Sequence, residues 1–278
     1  MAEQFFDLKP VTNEEHKQIL INILREIDKY CRDNNILYFL AYGTMLGAVR
    51  HNGFIPWDDD IDIVMDRQNY NLFMSGFNVD RKDNYRLISI DNTKDYYLST
   101  SKVCDMNTLL IEDIDNPIEI GVYVDVFILD KLGNTMNEAK KLSRKIRRQY
   151  YLIKPSLIST RTQRSLYKQI ILRIAKLLTS RINRQHIIHR IMDIAQTYSD
   201  LETCRYVGAI SSYAYGDKEI TESQWWYGGA IDVDFENVKC LIPQNYDKIL
   251  THFYGDYMVP PPVEERRSHH SYQAFWRE

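Results

Sequence analysis

Asp60, Ile61, Asp62 and Ile63 alternate charge with apolarity in the segment WDDDIDIVM. A period of two is the pattern of a strand whose two faces meet different surroundings. On such a strand both carboxylates face one way and both isoleucines face the other. Neighbouring carboxylates repel, and each raises the cost of ionising the other. A divalent cation between them relieves that cost. Mg²⁺ typically takes one or two protein carboxylates together with substrate phosphate oxygens.

The residues upstream fit phosphate chemistry. Gly43 permits a tight turn, and Thr44 is positioned to cap a short helix running to Arg50. A helix N-terminus offers free N–H groups and partial positive charge to a phosphate. Gly43 allows close backbone approach, and the Thr44 hydroxyl adds a hydrogen bond. Downstream, Asp125 interrupts the apolar run GVYVDVFILD. A carboxylate there is costly unless it binds metal or accepts a hydrogen bond. Three roles stand open for it: third metal ligand, base for an incoming hydroxyl, or buried structural aspartate. Arg50 and Lys102 are candidates for phosphate contact, with a surface charge or a partner for the acidic cluster as the alternative. Asp58 and Asp59 are either supporting groups or plain loop, and a solvated acidic turn is the competing reading of residues 58–60.

Thr12 and Glu15 form a capping-box pattern, and Ile19, Leu20, Ile23, Leu24, Ile27 and Cys31 follow at helical spacing up to Asp33. Strands are predicted at Ile36–Ala41, Asp60–Met65, Arg86–Ile90, Leu98–Cys104, Val122–Leu129 and Val238–Leu241. Helices are predicted at Asp66–Phe77, from Asn137 to about Met192 with a break near Lys154 and Pro155, and at Asn245–Tyr254. This is an α+β or α/β pattern: a mixed sheet core flanked by helices, a basic helical segment, and a C-terminal part packing back on the core. The corresponding division is 1–136 for the catalytic core, 137–200 for the basic segment and 201–278 for a region completing the site.

The net charge of −3 conceals an asymmetry. Residues 139–192 hold fifteen Lys and Arg and no Asp or Glu, which leaves −18 on the remainder. A basic amphipathic helix suits an anionic membrane, although a solvated charged face is the commoner use of such a run. Nucleic acid is not expected, because no reader motif accompanies the charge. Four cysteines without a C-x-x-C pair are neither a disulfide framework nor a zinc site. No apolar run reaches spanning length. MAEQFFDLKP lacks the features of a signal peptide. The expected location is therefore the cytosol, with peripheral contact at the inner face of the cell membrane through 139–192.

The run YGTMLGAVRHNGFIPWDDDIDIVM resembles the signature of the LicD family, bacterial phosphocholine transferases among them, within the nucleotidyltransferase-fold superfamily. The superfamily pattern is Gly-Ser/Thr, then Asp-h-Asp, then a later Asp. The likeness is nearly unbroken from Tyr42 through Asp62 and looser at GVYVDVFILD and at YGDYMVPPP with Arg266 and His269. The gap from Thr44 to Asp60 is longer than the superfamily pattern, but the inserted GFIPW is usual in LicD-like proteins. The resemblance implies that Asp60 and Asp62 bind metal with Asp125 as third carboxylate, and that Gly43 and Thr44 touch phosphate, with Arg266 and His269 as further phosphate contacts. It implies one or two Mg²⁺ ions, replaceable by Mn²⁺, and CDP-choline or another CDP-alcohol as donor. The acceptor it implies is a sugar hydroxyl on a teichoic acid, capsule or lipopolysaccharide precursor, lipid-linked, with CMP released. The alternatives are transfer of NMP to a hydroxyl, and a non-catalytic scaffold at the membrane. Tyr254, Tyr257, Tyr272 and Trp276 either face a trimethylammonium group or pack the tail onto the core.

Overall fold

The structure is a computed structural model that describes residues 8–80, 84–111, 118, 120–158, 165–266 and 273–277. Helix α1 (Asn13–Asp33) opens with the expected capping box, Thr12 and Glu15 bonding to each other's backbone N–H. Its apolar stripe is buried across β4 (Ser101–Ile111) and β5 (Ile120–Gly133). The mixed sheet runs β1 (Phe39–Leu40), β2 (Asp62–Asp66), β5, β4 and β10 (Gln273–Trp276). Strand β3 (Tyr85–Ile88) also pairs with β4. Strand β6 (Tyr206–Gly208) joins β5 to β7 (Thr221–Glu222). Strands β2 and β5 are parallel, and the other pairs are antiparallel.

Strand β5 is buried along nearly its whole length, as expected of a central strand covered on both faces. Asp125 is one of two positions where that burial breaks. Around the sheet stand α2 (Tyr42–His51), α3 (Arg67–Asp80), α4 (Met136–Leu157), α5 (Leu166–Thr179) and α6 (Arg184–Ala195). Beyond β6 and β7 lie α7 (Ser223–Tyr227), the hairpin of β8 (Ala230–Phe235) and β9 (Val238–Pro243), and α8 (Tyr246–Tyr254).

Several elements depart from the sequence expectation. Helix α2 starts at Tyr42, so Gly43 and Thr44 lie within its first turn, and Ala41 stands at the cap without a side-chain bond. The second strand begins at Asp62, but the backbone already pairs one residue earlier, where the Asp125 N–H donates to the Ile61 carbonyl at 3.0 Å. Helix α4 continues through Pro155 to Leu157. The bond that Pro155 forgoes is to the carbonyl of Tyr151, four residues back, and Tyr151 is solvent-exposed. Strands β6, β7, β8 and β10 are additional to the strands expected from the sequence. The four cysteines are free thiols, three of them buried. Among the described residues no helix is long and apolar enough to cross a membrane.

Candidate active site

Sheet register builds the site. Asp62 on β2 lies opposite Asp125 on β5, and Asp125 lies opposite Lys102 on β4. Residues paired across neighbouring strands share a face, so the three side chains form one row across the sheet. Asp60, Ile61, Asp62 and Ile63 alternate between partly buried and buried, with both isoleucines in the core.

The row is electrostatically strained at its acidic end. Burial, followed by the carboxylates of Asp60, Asp125 and Asp58, pushes the Asp62 carboxyl well above the ordinary carboxylate range, while Lys102 pulls it down. At the other end Lys102 is buried, and its Nζ donates to Asp125 Oδ1 at 2.9 Å while lying 3.3 Å from the centre of the Tyr123 ring. Of the roles open to Asp125, the hydrogen-bonded partner of a buried cation is thus in place. Among the described residues no three His, Cys, Asp or Glu side chains are gathered closely enough to hold an ion by themselves. Asp60 and Asp62 remain a two-carboxylate set, the donor count that suits Mg²⁺ when substrate oxygens complete its shell.

Thr44 is buried, and its hydroxyl accepts the Asp62 N–H at 2.9 Å. The hydroxyl therefore clips α2 to the start of β2. Beside Gly43, where the sequence reading put a phosphate, stands Asp58: a β-carbon at position 43 would lie 2.7 Å from Asp58 Oδ2. A carboxylate is favoured there by the helix dipole. The loop between α2 and β2 is held by Glu236 at the tip of the β8–β9 hairpin, which accepts the Phe54 N–H at 3.1 Å and donates its own N–H to the Asn52 carbonyl at 2.8 Å.

A second pole is cationic. Arg50 Nη1 donates to the Tyr257 carbonyl at 2.6 Å. Burial and the neighbouring Arg266 hold Arg50 below the usual guanidinium range. Arg266 is exposed, lies over the Trp57 ring at 5.2 Å, and donates to the Pro261 carbonyl. His269 and Tyr272 fall outside the described residues.

Aromatic rings wall the acidic row. The Tyr215 and Tyr254 hydroxyls lie close to each other, and both are pushed up by burial and by Asp62 among their neighbours. Tyr42 packs at a tilt against Tyr215, with ring centres 5.1 Å apart, and meets Phe127 and Phe253 edge-on. Trp276 is elsewhere, in β10 opposite Thr108, six residues along β4 from Lys102 and so roughly 20 Å away. The tail aromatics therefore divide: Tyr254 joins the site, and Trp276 packs the tail onto the core. The sequence reading missed Tyr215, Tyr42 and Glu219. Tyr42 adjoins Gly43 in the motif, whereas no local signal marks Tyr215 or Glu219.

Residues 35–155 match the family model for the LicD/FKTN/FKRP nucleotidyltransferase domain. That span contains Asp60, Asp62, Lys102 and Asp125. Residues 35–155 are a LicD/FKTN/FKRP nucleotidyltransferase domain. Along nearly its full length the chain is also similar to the lipopolysaccharide cholinephosphotransferase LicD of Haemophilus influenzae, at 26% identity over 96% of this chain and 99% of the relative. Shorter likenesses are to an uncharacterised protein of Rickettsia typhi (43% over 18% of this chain and 16% of that protein) and to mannosyltransferase regulator 4 of Saccharomyces cerevisiae (28% over 27% of this chain and 7% of that protein). The LicD domain supplies the carboxylate row. Tyr215, Tyr254 and Arg266 come from beyond residue 155, outside the span that the family model matches.

Proposed function

We propose that the chain transfers phosphocholine from CDP-choline to a sugar hydroxyl of a surface-glycan precursor of the lipopolysaccharide type, releasing CMP. The observation that carries this reading is the row Asp62–Asp125–Lys102 with Tyr215 and Tyr254 beside it. Carboxylates and aromatic rings together suit a donor with a phosphate at one end and a quaternary ammonium at the other. The full-length likeness to a cholinephosphotransferase supports the same choice.

In the reaction the acceptor oxygen attacks the phosphorus that bears the choline. The bond from that phosphorus to the oxygen of the CMP phosphate breaks, and CMP departs with the electron pair. Asp125, held by the Lys102 ammonium, would take the acceptor proton. Arg50 and Arg266 form a cationic corner for the phosphate of the departing CMP. Tyr215 and Tyr254 present ring faces to the trimethylammonium. Asp60 and Asp62 would hold Mg²⁺ or Mn²⁺, which when bound neutralises phosphate charge. Developing charge on the phosphoryl oxygens is what such a site stabilises.

The test is a donor screen with purified protein, Mg²⁺ and glycan acceptors, read as CMP release from CDP-choline, CDP-ribitol and CDP-glycerol. CMP from CDP-choline with the acceptor modified supports the proposal; none from any donor overturns it. Asp62→Asn and Asp60→Asn are each expected to lower turnover by about a hundredfold or more, the scale of losing a main electrostatic stabiliser. A nucleotidyltransferase domain also raises NMP transfer from an NTP, and pyrophosphate release would identify that reaction instead.

A further inference from the structure

Helix α5 is turned inside out. None of its described side chains is buried. Tyr167, Ile170, Ile171, Ile174, Leu177 and Leu178 are all between 53% and 76% exposed. At 100° per residue these six fall within an arc of roughly 120°. The more covered side, which carries Gln169, Leu172, Ala175, Lys176 and Thr179, is short of large apolar groups. An ordinary surface helix points its apolar arc at the core, whereas α5 points it at solvent. Lys168 and Arg173 flank the arc. Helix α4, which packs against α5, adds exposed Tyr151 and Leu152 with Arg148 and Lys154 near them in sequence. Contiguous apolar exposure on this scale marks an interaction site.

We propose that α5 is an interfacial membrane helix, its apolar arc set into the headgroup region of an anionic lipid surface and its flanking bases held by lipid phosphates. Charge selects this occupant. Residues 139–192 carry fifteen bases and no acid, so a second copy docking the same face would bring two basic blocks together. Nucleic acid would use the bases but would leave six apolar side chains in water. An anionic bilayer takes both: aliphatic groups enter the acyl boundary, and Lys and Arg reach the headgroups. An acceptor carried on a lipid would then be presented at the surface where the protein sits, although the inference does not depend on the transferase reading.

Sedimentation of the full chain with vesicles tests it without any activity readout. Phosphatidylcholine vesicles are compared with vesicles that also contain phosphatidylglycerol. The wild-type protein is expected to bind the anionic vesicles, and less strongly as salt rises. Ile174→Glu with Leu178→Glu should weaken binding by more than about tenfold, the scale of withdrawing two aliphatic side chains from lipid. Both positions are exposed, so the melting temperature should not change. Lys168→Glu with Arg173→Glu should remove most of the preference for anionic vesicles. Equal binding by the apolar variant, or no binding to either vesicle, overturns the proposal. A wild-type dimer that becomes monomeric in the apolar variant would assign the face to a second copy and overturn it equally.

Discussion

Glu219 shows how a single buried side chain supports the site from behind. It is 2% exposed, accepts the Tyr42 hydroxyl at Oε2 over 2.9 Å, and accepts the Tyr215 N–H at Oε1 over 3.3 Å. It thus fixes both the residue that opens α2 and one of the two tyrosines beside Asp62. Tyr42 needs such a hold, since its φ of 43° is left-handed and costs a non-glycine residue about 1–3 kcal/mol. Burial raises the Glu219 carboxyl to about 7, against the pull of these hydrogen bonds. The sign follows from linkage. Between the ordinary value of 4.5 and about 7 the unfolded chain has lost the proton that the folded chain keeps. Stability falls as pH rises through that window and is level on either side of it. The stability of Glu219→Gln relative to wild type should therefore improve by roughly 3 kcal/mol from about pH 4.5 to about pH 8. Urea melts of both proteins across this range would show it, and a difference independent of pH would place the charge elsewhere.

At the scale of elements, the site depends on how α2 approaches β2. Two contacts set that approach: the Thr44 hydroxyl on the Asp62 N–H, and Asp58 resting against Gly43. Gly43→Ala would drive a methyl group to 2.7 Å from Asp58 Oδ2. Either the carboxylate or the helix must give way, at about 1–3 kcal/mol. The expected result is a lower melting temperature that Asp58→Ala, by removing the obstructing carboxylate, largely restores in the double variant. Strict additivity of the two changes would show that the contact is not what excludes a side chain at 43. The sequence made only part of this legible. Helix α1 could be read in full, because Thr12, Glu15 and the apolar spacing all lie within one stretch of chain. The alternation of Asp60 through Ile63 gave the facing of the carboxylates. The start of α2 could not be read, because Ala41 carries no capping group, and the Thr44 hydroxyl, a usual cap signal, is spent on another strand. The row itself was beyond local patterns: Asp62 meets Asp125, and Asp125 meets Lys102, only through sheet register. Nothing within a few residues of Lys102 announces a buried ammonium.

Across the whole molecule, residues 9–11 and 273–277, far apart in sequence, meet at one sheet edge. Strand β10 pairs Gln273 through Trp276 with Ile111 through Thr108 of β4. The Val11 N–H donates to the Ala274 carbonyl and the Trp276 N–H to the Lys9 carbonyl, each over 2.9 Å. Arg277 adds its N–H to the Asn107 carbonyl at 2.8 Å and its Nε to the Thr108 carbonyl at 2.9 Å. Strand β10 therefore covers the far half of β4 and ties down the segment that leads into α1, while the near half of β4 holds Lys102 in the site. Removing residues 273–278 would strip these bonds and bare a run of unpaired backbone groups from Thr108 to Ile111. At about 0.5–1.5 kcal/mol net for each bond, the four loop and side-chain bonds alone amount to roughly 4 kcal/mol. An uncovered strand edge also invites pairing between molecules. The truncated protein is expected to melt lower by several degrees and to associate with rising concentration, both measurable by calorimetry and light scattering. Because Asp60, Asp62, Lys102 and Asp125 all lie away from the cut, the monomer that remains folded should still release CMP. A truncated protein that stays monomeric and melts like wild type would mean that β10 contributes little. A folded monomer without turnover would place a residue from 273–278 in the site itself.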